Sequence, residues 1–174
     1  MASRAKTNAL GSLSDPTKTG KREQEILTPQ WLLSNLRREW GKIVLDPCSP
    51  KEPNVGADYA YSVCGLDWGW PDRTYCNPPY DKLKLWLAWA LAQGDARIAI
   101  LAPARTSRKW YRLALDGRWV VELDPVKFQG YDGTFPAPLH LICLNFEPDP
   151  KLWTMGTVRY YPPGGHNGQE AITE

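Results

Sequence analysis

Asn77-Pro78-Pro79-Tyr80 is the stretch of this chain whose residue types can act on a substrate together. An Asn side-chain carbonyl and a proline backbone carbonyl both accept hydrogen bonds, so the pair can grip one exocyclic NH2 group. Two successive prolines fix φ and remove two backbone donors, which stiffens the loop and leaves its carbonyls for a ligand. The Tyr80 ring offers a face for stacking on a planar base. Hydrogen bonds accepted from an aromatic amine localise the nitrogen lone pair and prepare it to attack an electrophile. Such a reaction needs positioning and electrostatics, with no covalent intermediate and no strong base.

The elements that must hold this loop follow from periodicity and punctuation. Thr28-Pro29 reads as a helix start, with Thr28 as N-cap and Pro29 in the first position. Trp31, Leu32, Leu36 and Trp40 share one helical face, and Gly41 is the expected C-cap. Ile43-Val44-Leu45 reads as a short buried strand stopping at Asp46-Pro47. Residues 47–65 are rich in turn formers and support no assignment. Arg73–Cys76 is the strand that delivers Asn77. Lys82–Gln93 reads as a helix, Arg97–Leu101 as a strand ended by Pro103, and Arg108–Leu115 as a helix. Trp119–Leu123 and Leu139–Phe146 read as two further strands. The alternation predicts an α/β fold with a mainly parallel sheet, helices on both faces and an antiparallel strand near the C-terminus. In such sheets ligands bind beyond the carboxyl ends of the strands. Asp46, Asn77 and Pro103 all stand there, on one predicted rim.

The bulk composition fits this picture. A chain of 174 residues with 43% hydrophobic and 23% charged residues suits one globular domain. Residues 1–24 are expected to be a flexible polar tail, 25–161 the domain and 162–174 a second loose tail. The net charge of +2 is too small to argue nucleic-acid binding, so DNA affinity must come from a local patch. The densest basic cluster is Arg105, Arg108, Lys109 and Arg112. It suggests phosphate contacts, with a solvated helix face as the plain alternative. Cysteines 48, 64, 76 and 143 form no CxxC pair, and neither histidine lies near a pair, so no metal site is expected. No apolar run has transmembrane length and no signal peptide is visible, so the expected setting is cytoplasmic, away from membranes.

The order of motifs resembles the phage-associated DNA N6-adenine methyltransferases, a Dam-like family of small class I enzymes. The likeness spans about residues 26–146. It runs through Leu27-Thr28-Pro29-Gln30-Trp31, Leu45-Asp46-Pro47-Cys48-Ser49-Pro50, Leu66-Asp67-Trp68 and Cys76-Asn77-Pro78-Pro79-Tyr80. It continues through Leu101-Ala102-Pro103-Ala104-Arg105-Thr106 with Lys109-Trp110, then Val126-Lys127-Phe128 and Phe135-Pro136-Ala137-Pro138. The resemblance implies S-adenosyl-L-methionine as cofactor, adenine-containing DNA as partner, and a bacterial host cytoplasm if the gene is phage-borne.

The resemblance also implies roles. Asn77, Pro78, Pro79 and Tyr80 would be catalytic, holding and stacking on a flipped-out adenine. Thr28, Pro29, Asp46, Cys48, Asp67 and Trp68 would hold the cofactor. Phe128 would close the second face of the base, or serve simply as a core aromatic. Arg105 and Lys109 would meet the DNA. The chain departs from the wider fold by lacking a glycine-rich loop after the first strand. The span from Asp46 to Asn77 is also short, which predicts a trimmed fold. Alternative acceptors are RNA adenine and a protein glutamine amide, and a non-catalytic relic that binds nucleic acid is a third reading.

Overall fold

The computed structural model describes residues 27–62, 64–130 and 132–165. Both expected tails thus lie largely outside the described residues, although Pro162–Gly165 forms a turn closed by Gly165 N–H to the Pro162 carbonyl at 3.2 Å. Three helices and seven strands alternate: α1 (Gln30–Trp40), β1 (Leu45–Asp46), β2 (Tyr59–Ala60), β3 (Thr74–Cys76), α2 (Leu83–Leu91), β4 (Ile98–Pro103), α3 (Lys109–Leu115), β5 (Arg118–Leu123), β6 (Leu139–Leu144) and β7 (Gly156–Tyr161).

The strands form one sheet in the order β2-β1-β3-β4-β6-β5-β7. The pairings β2–β1, β1–β3 and β3–β4 are parallel. β6 pairs antiparallel with β4 and β5, and β7 pairs antiparallel with β5. Five strands therefore run one way, and β6 and β7 run against them. The α/β architecture is the expected one. Two strands were not foreseen: β2 hides in the turn-rich stretch, and β7 in the Pro- and Gly-rich C-terminal part. The first strand is shorter than its apolar run, because only Leu45 and Asp46 pair.

Side chains alternate across the sheet and build two cores. On one face Tyr75, Ala99, Leu101, Val121 and Leu141 pack beneath Leu32, Leu33 and Leu36 of α1, together with Val126, Phe128 and Trp153. On the other, Cys76, Ile98, Ile100, Ala102, Val120 and Ile142 meet Leu83, Trp86 and Leu87 of α2 and Tyr111, Ala114 and Leu115 of α3. Helices thus cover both faces. β4 is buried along its whole length, as a central strand covered on both sides must be.

Two local expectations are corrected. Thr28 does not cap α1; Pro29 occupies that position, in extended backbone and without a side-chain cap. The Thr28 hydroxyl instead pairs with the Tyr75 hydroxyl at 2.8 Å, in the buried interior. A buried phenol must find a partner, and this requirement outweighs the helix-capping preference of threonine. Gly41 does end α1, at φ +78°, with its N–H on the Arg37 carbonyl at 2.8 Å.

Candidate active site

β1 is flanked by β2 on one side and β3 on the other, so the chain leaves β1 in one direction and returns past it. The gap between the carboxyl ends of β1 and β3 is the topological switch point, where open α/β sheets form their ligand crevice. Asp46 ends β1, and Asn77 follows the last residue of β3. The register pairs Leu45 with Thr74 and Cys76 with Ile100, so both residues reach the same rim. Pro103 ends β4 on that rim too.

Asp46 is 2% exposed. Burial pushes its carboxyl up to about 6; the Cys48 N–H and the Ser49 hydroxyl pull the other way. The Cys48 N–H reaches Oδ1 at 3.1 Å, while the Ser49 hydroxyl also has the Pro50 carbonyl 3.1 Å away. No Lys, Arg or His among the described residues forms an ion pair with Asp46. A buried carboxylate without a cation suits a positively charged ligand. Cys48 beside it is half-buried, and burial, then the Asp46 charge, push its thiol up to about 12. A thiol held so far up stays protonated near neutral pH.

The glycine absent after β1 is supplied from elsewhere. A Cβ on Gly65 would lie 2.0 Å from the Pro47 carbonyl oxygen, so the Gly65–Asp67 turn rests directly on the backbone that follows Asp46. Only glycine permits that approach. The Trp70 indole N–H fixes the turn by donating to the Gly65 carbonyl at 2.8 Å. Sequence reading missed Gly65 because its partner lies 18 positions earlier in the chain. The turn delivers Asp67 and Trp68 to this side of the crevice. Trp68 is 58% exposed and tilts against Tyr61, ring centroids 6.4 Å apart. Tyr61 follows β2 and is joined to the β1 end by its N–H on the Asp46 carbonyl at 2.9 Å.

On the other side, the Asn77 side chain is half-buried and makes no hydrogen bond to another described residue. The Pro78 carbonyl accepts none from the neighbouring loops, whereas the Pro79 carbonyl takes the Lys82 N–H at 3.1 Å. The two acceptors singled out from the sequence thus make no hydrogen bond to the neighbouring described loops. Tyr80 is 8% exposed and meets Phe135 edge to face at 5.7 Å. Phe135 also meets Phe128 at 5.6 Å. Phe128 is 1% exposed and belongs to the core under α1. Of the two alternatives weighed for Phe128, its position fits the core aromatic. Beside these rings, Trp31, Lys127, Phe128, Gln129, Asp132 and Met155 line an open cavity of about 540 Å3, within the size range of small-molecule sites.

Thr28 and Pro29 lie at the N-terminus of α1, tied to this rim by the Leu27–Gln129 bridge and by the Thr28–Tyr75 pair. The Thr28 hydroxyl is thus engaged, and the Asn54 side chain holds the Thr28 carbonyl at 3.2 Å. The basic cluster divides. Arg108 and Lys109 are exposed, whereas Arg105 and Arg112 donate to the backbone carbonyls of Tyr80 and Thr106 at 3.0 and 2.8 Å. Among the described residues no group of three or more His, Cys, Asp or Glu could hold a metal ion, and no helix is long and apolar enough to cross a membrane.

The candidate site thus lies at the switch point of an α/β sheet whose first four strands are parallel. A family model described as DNA N-6-adenine-methyltransferase (Dam) matches residues 16–122, more than half of the chain, and the chain belongs to that family. The family supports DNA adenine methyltransferase activity, and the sheet with its flanking helices is consistent with a compact methyltransferase-like fold. Comparison with curated proteins and with solved structures gave no match.

Proposed function

We propose that the chain methylates the N6 amino group of adenine in DNA, with S-adenosyl-L-methionine as donor and the target base turned out of the duplex. The observation that carries the reading is the unengaged Asn77 side chain, with the Pro78 carbonyl next to it, on the same rim as the buried, unpaired carboxylate of Asp46.

The donor set fits the cofactor. Asp46 would meet its cationic end, whose charge offsets the desolvation of the carboxylate. The Gly65–Asp67 turn and Trp68 would hold its adenine, and the amides at the start of α1 would hold its carboxylate. With the Thr28 hydroxyl on Tyr75, Thr28 would act mainly by fixing that helix start. When bound, the cofactor supplies a methyl group on a sulfonium, an electrophile that needs no further activation.

The residues of the chain then do the remaining work. Asn77 Oδ1 and the Pro78 carbonyl would accept the two N6 hydrogens, which draws the nitrogen toward tetrahedral geometry and directs its lone pair. The prolines stiffen the backbone that carries both oxygens, which limits reorganisation, the origin of the rate gain in preorganised sites. A base inside a duplex cannot reach such a crevice, so extrusion is required. Tyr80 would meet it at the edge of the Tyr80–Phe135–Phe128 aromatic row. Exposed Arg108 and Lys109 near the rim would contact phosphate.

The test is transfer of labelled methyl to adenine-containing duplex DNA, with RNA and a glutamine-containing peptide as parallel acceptors. Wild-type protein should label the DNA. Asn77→Ala should lower the rate by at least about a hundredfold, the scale of one preorganised polar contact, while melting within about two degrees of wild type because a half-exposed rim Asn adds little to the core. Normal turnover by that variant, or labelling of peptide or RNA alone, would overturn the assignment.

A further inference from the structure

We propose that Arg105 is a positioning residue, a clamp that holds the Asn77–Tyr80 loop in its reactive shape, and that it does not contact DNA phosphate. The inference rests on the loop being the amine-binding element argued above.

The clamp is built from β4. Ala104, the residue after that strand, is pinned by its N–H on the Pro138 carbonyl at 2.8 Å. From this fixed base the Arg105 side chain crosses to the neighbouring strand end, where Nη2 donates to the Tyr80 carbonyl at 3.0 Å. The loop needs such a tie from outside. Pro78 and Pro79 have no N–H, so this loop has two fewer donors with which to anchor itself. Its internal anchor is the Lys82 N–H on the Pro79 carbonyl. A charged donor on the next carbonyl is a strong added restraint, since hydrogen bonds with one ionised partner are about twice as strong as neutral ones.

The state of the guanidinium separates this role from DNA binding. Its Nε is buried and has no hydrogen-bond partner among the described residues. With Nε buried and Nη2 on the Tyr80 carbonyl, the guanidinium is directed at the loop. Arg108 and Lys109, three and four positions on, are exposed and free to meet a polyanion. The chain thus uses one cluster for two purposes: the half-buried Arg105 holds the loop, and the exposed members face solvent.

The experiment compares wild-type protein, Arg105→Ala, Arg105→Lys and Lys109→Ala. Hydrogen exchange over residues 76–83 is measured on the ligand-free protein. Single-turnover methyl transfer is measured at saturating DNA, and DNA affinity is measured against salt. Arg105→Ala should speed exchange in the loop about tenfold and slow transfer about ten- to a hundredfold, the cost of small misplacements. Its slope of log affinity against log salt should equal that of wild type. Arg105→Lys, which keeps one charged donor, should fall between, and added guanidinium should restore part of the rate to Arg105→Ala. Lys109→Ala should instead reduce the salt slope by about 0.9, the value of one phosphate contact. If Arg105→Ala leaves loop exchange unchanged, or lowers the salt slope with an unaltered rate at saturation, the clamp is refuted. Should Arg105→Ala not fold, Arg105→Lys decides by the same criteria. If wild-type protein transfers no methyl, the functional reading fails on its own, and the exchange data still decide the clamp.

Discussion

Asp46→Asn tests the electrostatic logic of the crevice, because the cost of burying this carboxylate sets both the sign and the pH range of the effect. In the fold burial raises the group to about 6, from its ordinary value of 3.8. Each pH unit of difference corresponds to ~1.4 kcal/mol, so holding Asp46 charged costs the fold on the order of 3 kcal/mol. The folded value lies above the unfolded one. The associated stability is therefore complete below pH 3.8 and is lost as pH rises through 6, beyond which the full cost remains. Asparagine removes the charge and keeps an oxygen for the Cys48 N–H, now 3.1 Å from Oδ1. It also adds an NH2 that needs a partner, which subtracts a pH-independent amount. The pH-dependent part is the diagnostic quantity. Melting temperatures of variant and wild type, followed from pH 8 to pH 4, should change in their difference by about 5–10 °C, at ~2–4 °C per kcal/mol for a domain of this size, with the advantage of the variant largest at pH 8. Calorimetry should show the opposite effect on function. The variant should bind S-adenosyl-L-methionine at least about tenfold more weakly, one decade being ~1.4 kcal/mol, and wild-type affinity should decline as pH falls below 6. A melting difference that does not vary with pH, or an Asp46→Asn variant with unchanged cofactor affinity, would refute the argument that burial has prepared this carboxylate for a cation.

Gly65→Ala should destabilise the protein by about 1–3 kcal/mol through overpacking and weaken cofactor binding, because the new Cβ would sit 2.0 Å from the Pro47 carbonyl oxygen; thermal melts and calorimetry read both, and a neutral result would mean the turn is free to move. Thr28→Val should cost about 1–3 kcal/mol by leaving the Tyr75 hydroxyl unpaired, measurable by urea denaturation, whereas the double variant Thr28→Val with Tyr75→Phe should recover much of that loss; no recovery would show that the 2.8 Å pair does not hold α1 to β3.

How far the sequence could lead differs between the two sides of the crevice. The Asn77 side was legible because its chemistry is contiguous: four residues, two of them prolines, declare the loop, and Thr74–Cys76 before them is apolar enough to declare the strand. The Asp46 side was legible only at its first residue. What holds that side together is the contact of Gly65 with Pro47 and the Trp70 bond to Gly65, and no periodicity reports a backbone contact between distant loops. β2 escaped notice for a related reason. Tyr59 and Ala60 are both exposed at the sheet edge, so the strand shows neither an apolar run nor an alternation. β7, with exposed Thr157, Arg159 and Tyr160, is an edge strand of the same kind at the other end. Thr28 misled because the same side chain serves as a helix cap or as a buried partner, and only the proximity of Tyr75 in three dimensions decides between them. The Arg105 bond to the Tyr80 carbonyl was not legible either, because charge density along a sequence does not distinguish a solvated guanidinium from one turned toward a neighbouring loop.

The compression between Asp46 and Asn77 explains why these loop contacts matter. Parallel neighbours need crossovers, and a helix usually provides them. Here segments 47–58 and 61–73 make the two crossovers flanking β1, and among their described residues there is no α-helix, only the single 3-10 turn at Gly65–Asp67. The expected trimming therefore falls on the Asp46 side, and that side lacks the rigid helix that would otherwise support it. The substitutes are specific: Gly65 against Pro47, the Trp70 indole on Gly65, and the Trp70 N–H on the Gln93 side chain at 2.8 Å, which carries the restraint through to the end of α2. Gln93 Nε2 donates in turn to the Trp89 carbonyl at 2.9 Å within that helix. The same α2 begins directly after the Asn77–Tyr80 loop. One helix thus braces both walls of the crevice, at its start through the loop and at its end through Gln93 and Trp70. Loss of the Gln93 side chain should accordingly loosen the Gly65 turn and not the Asn77 loop, whereas loss of Arg105 should do the reverse.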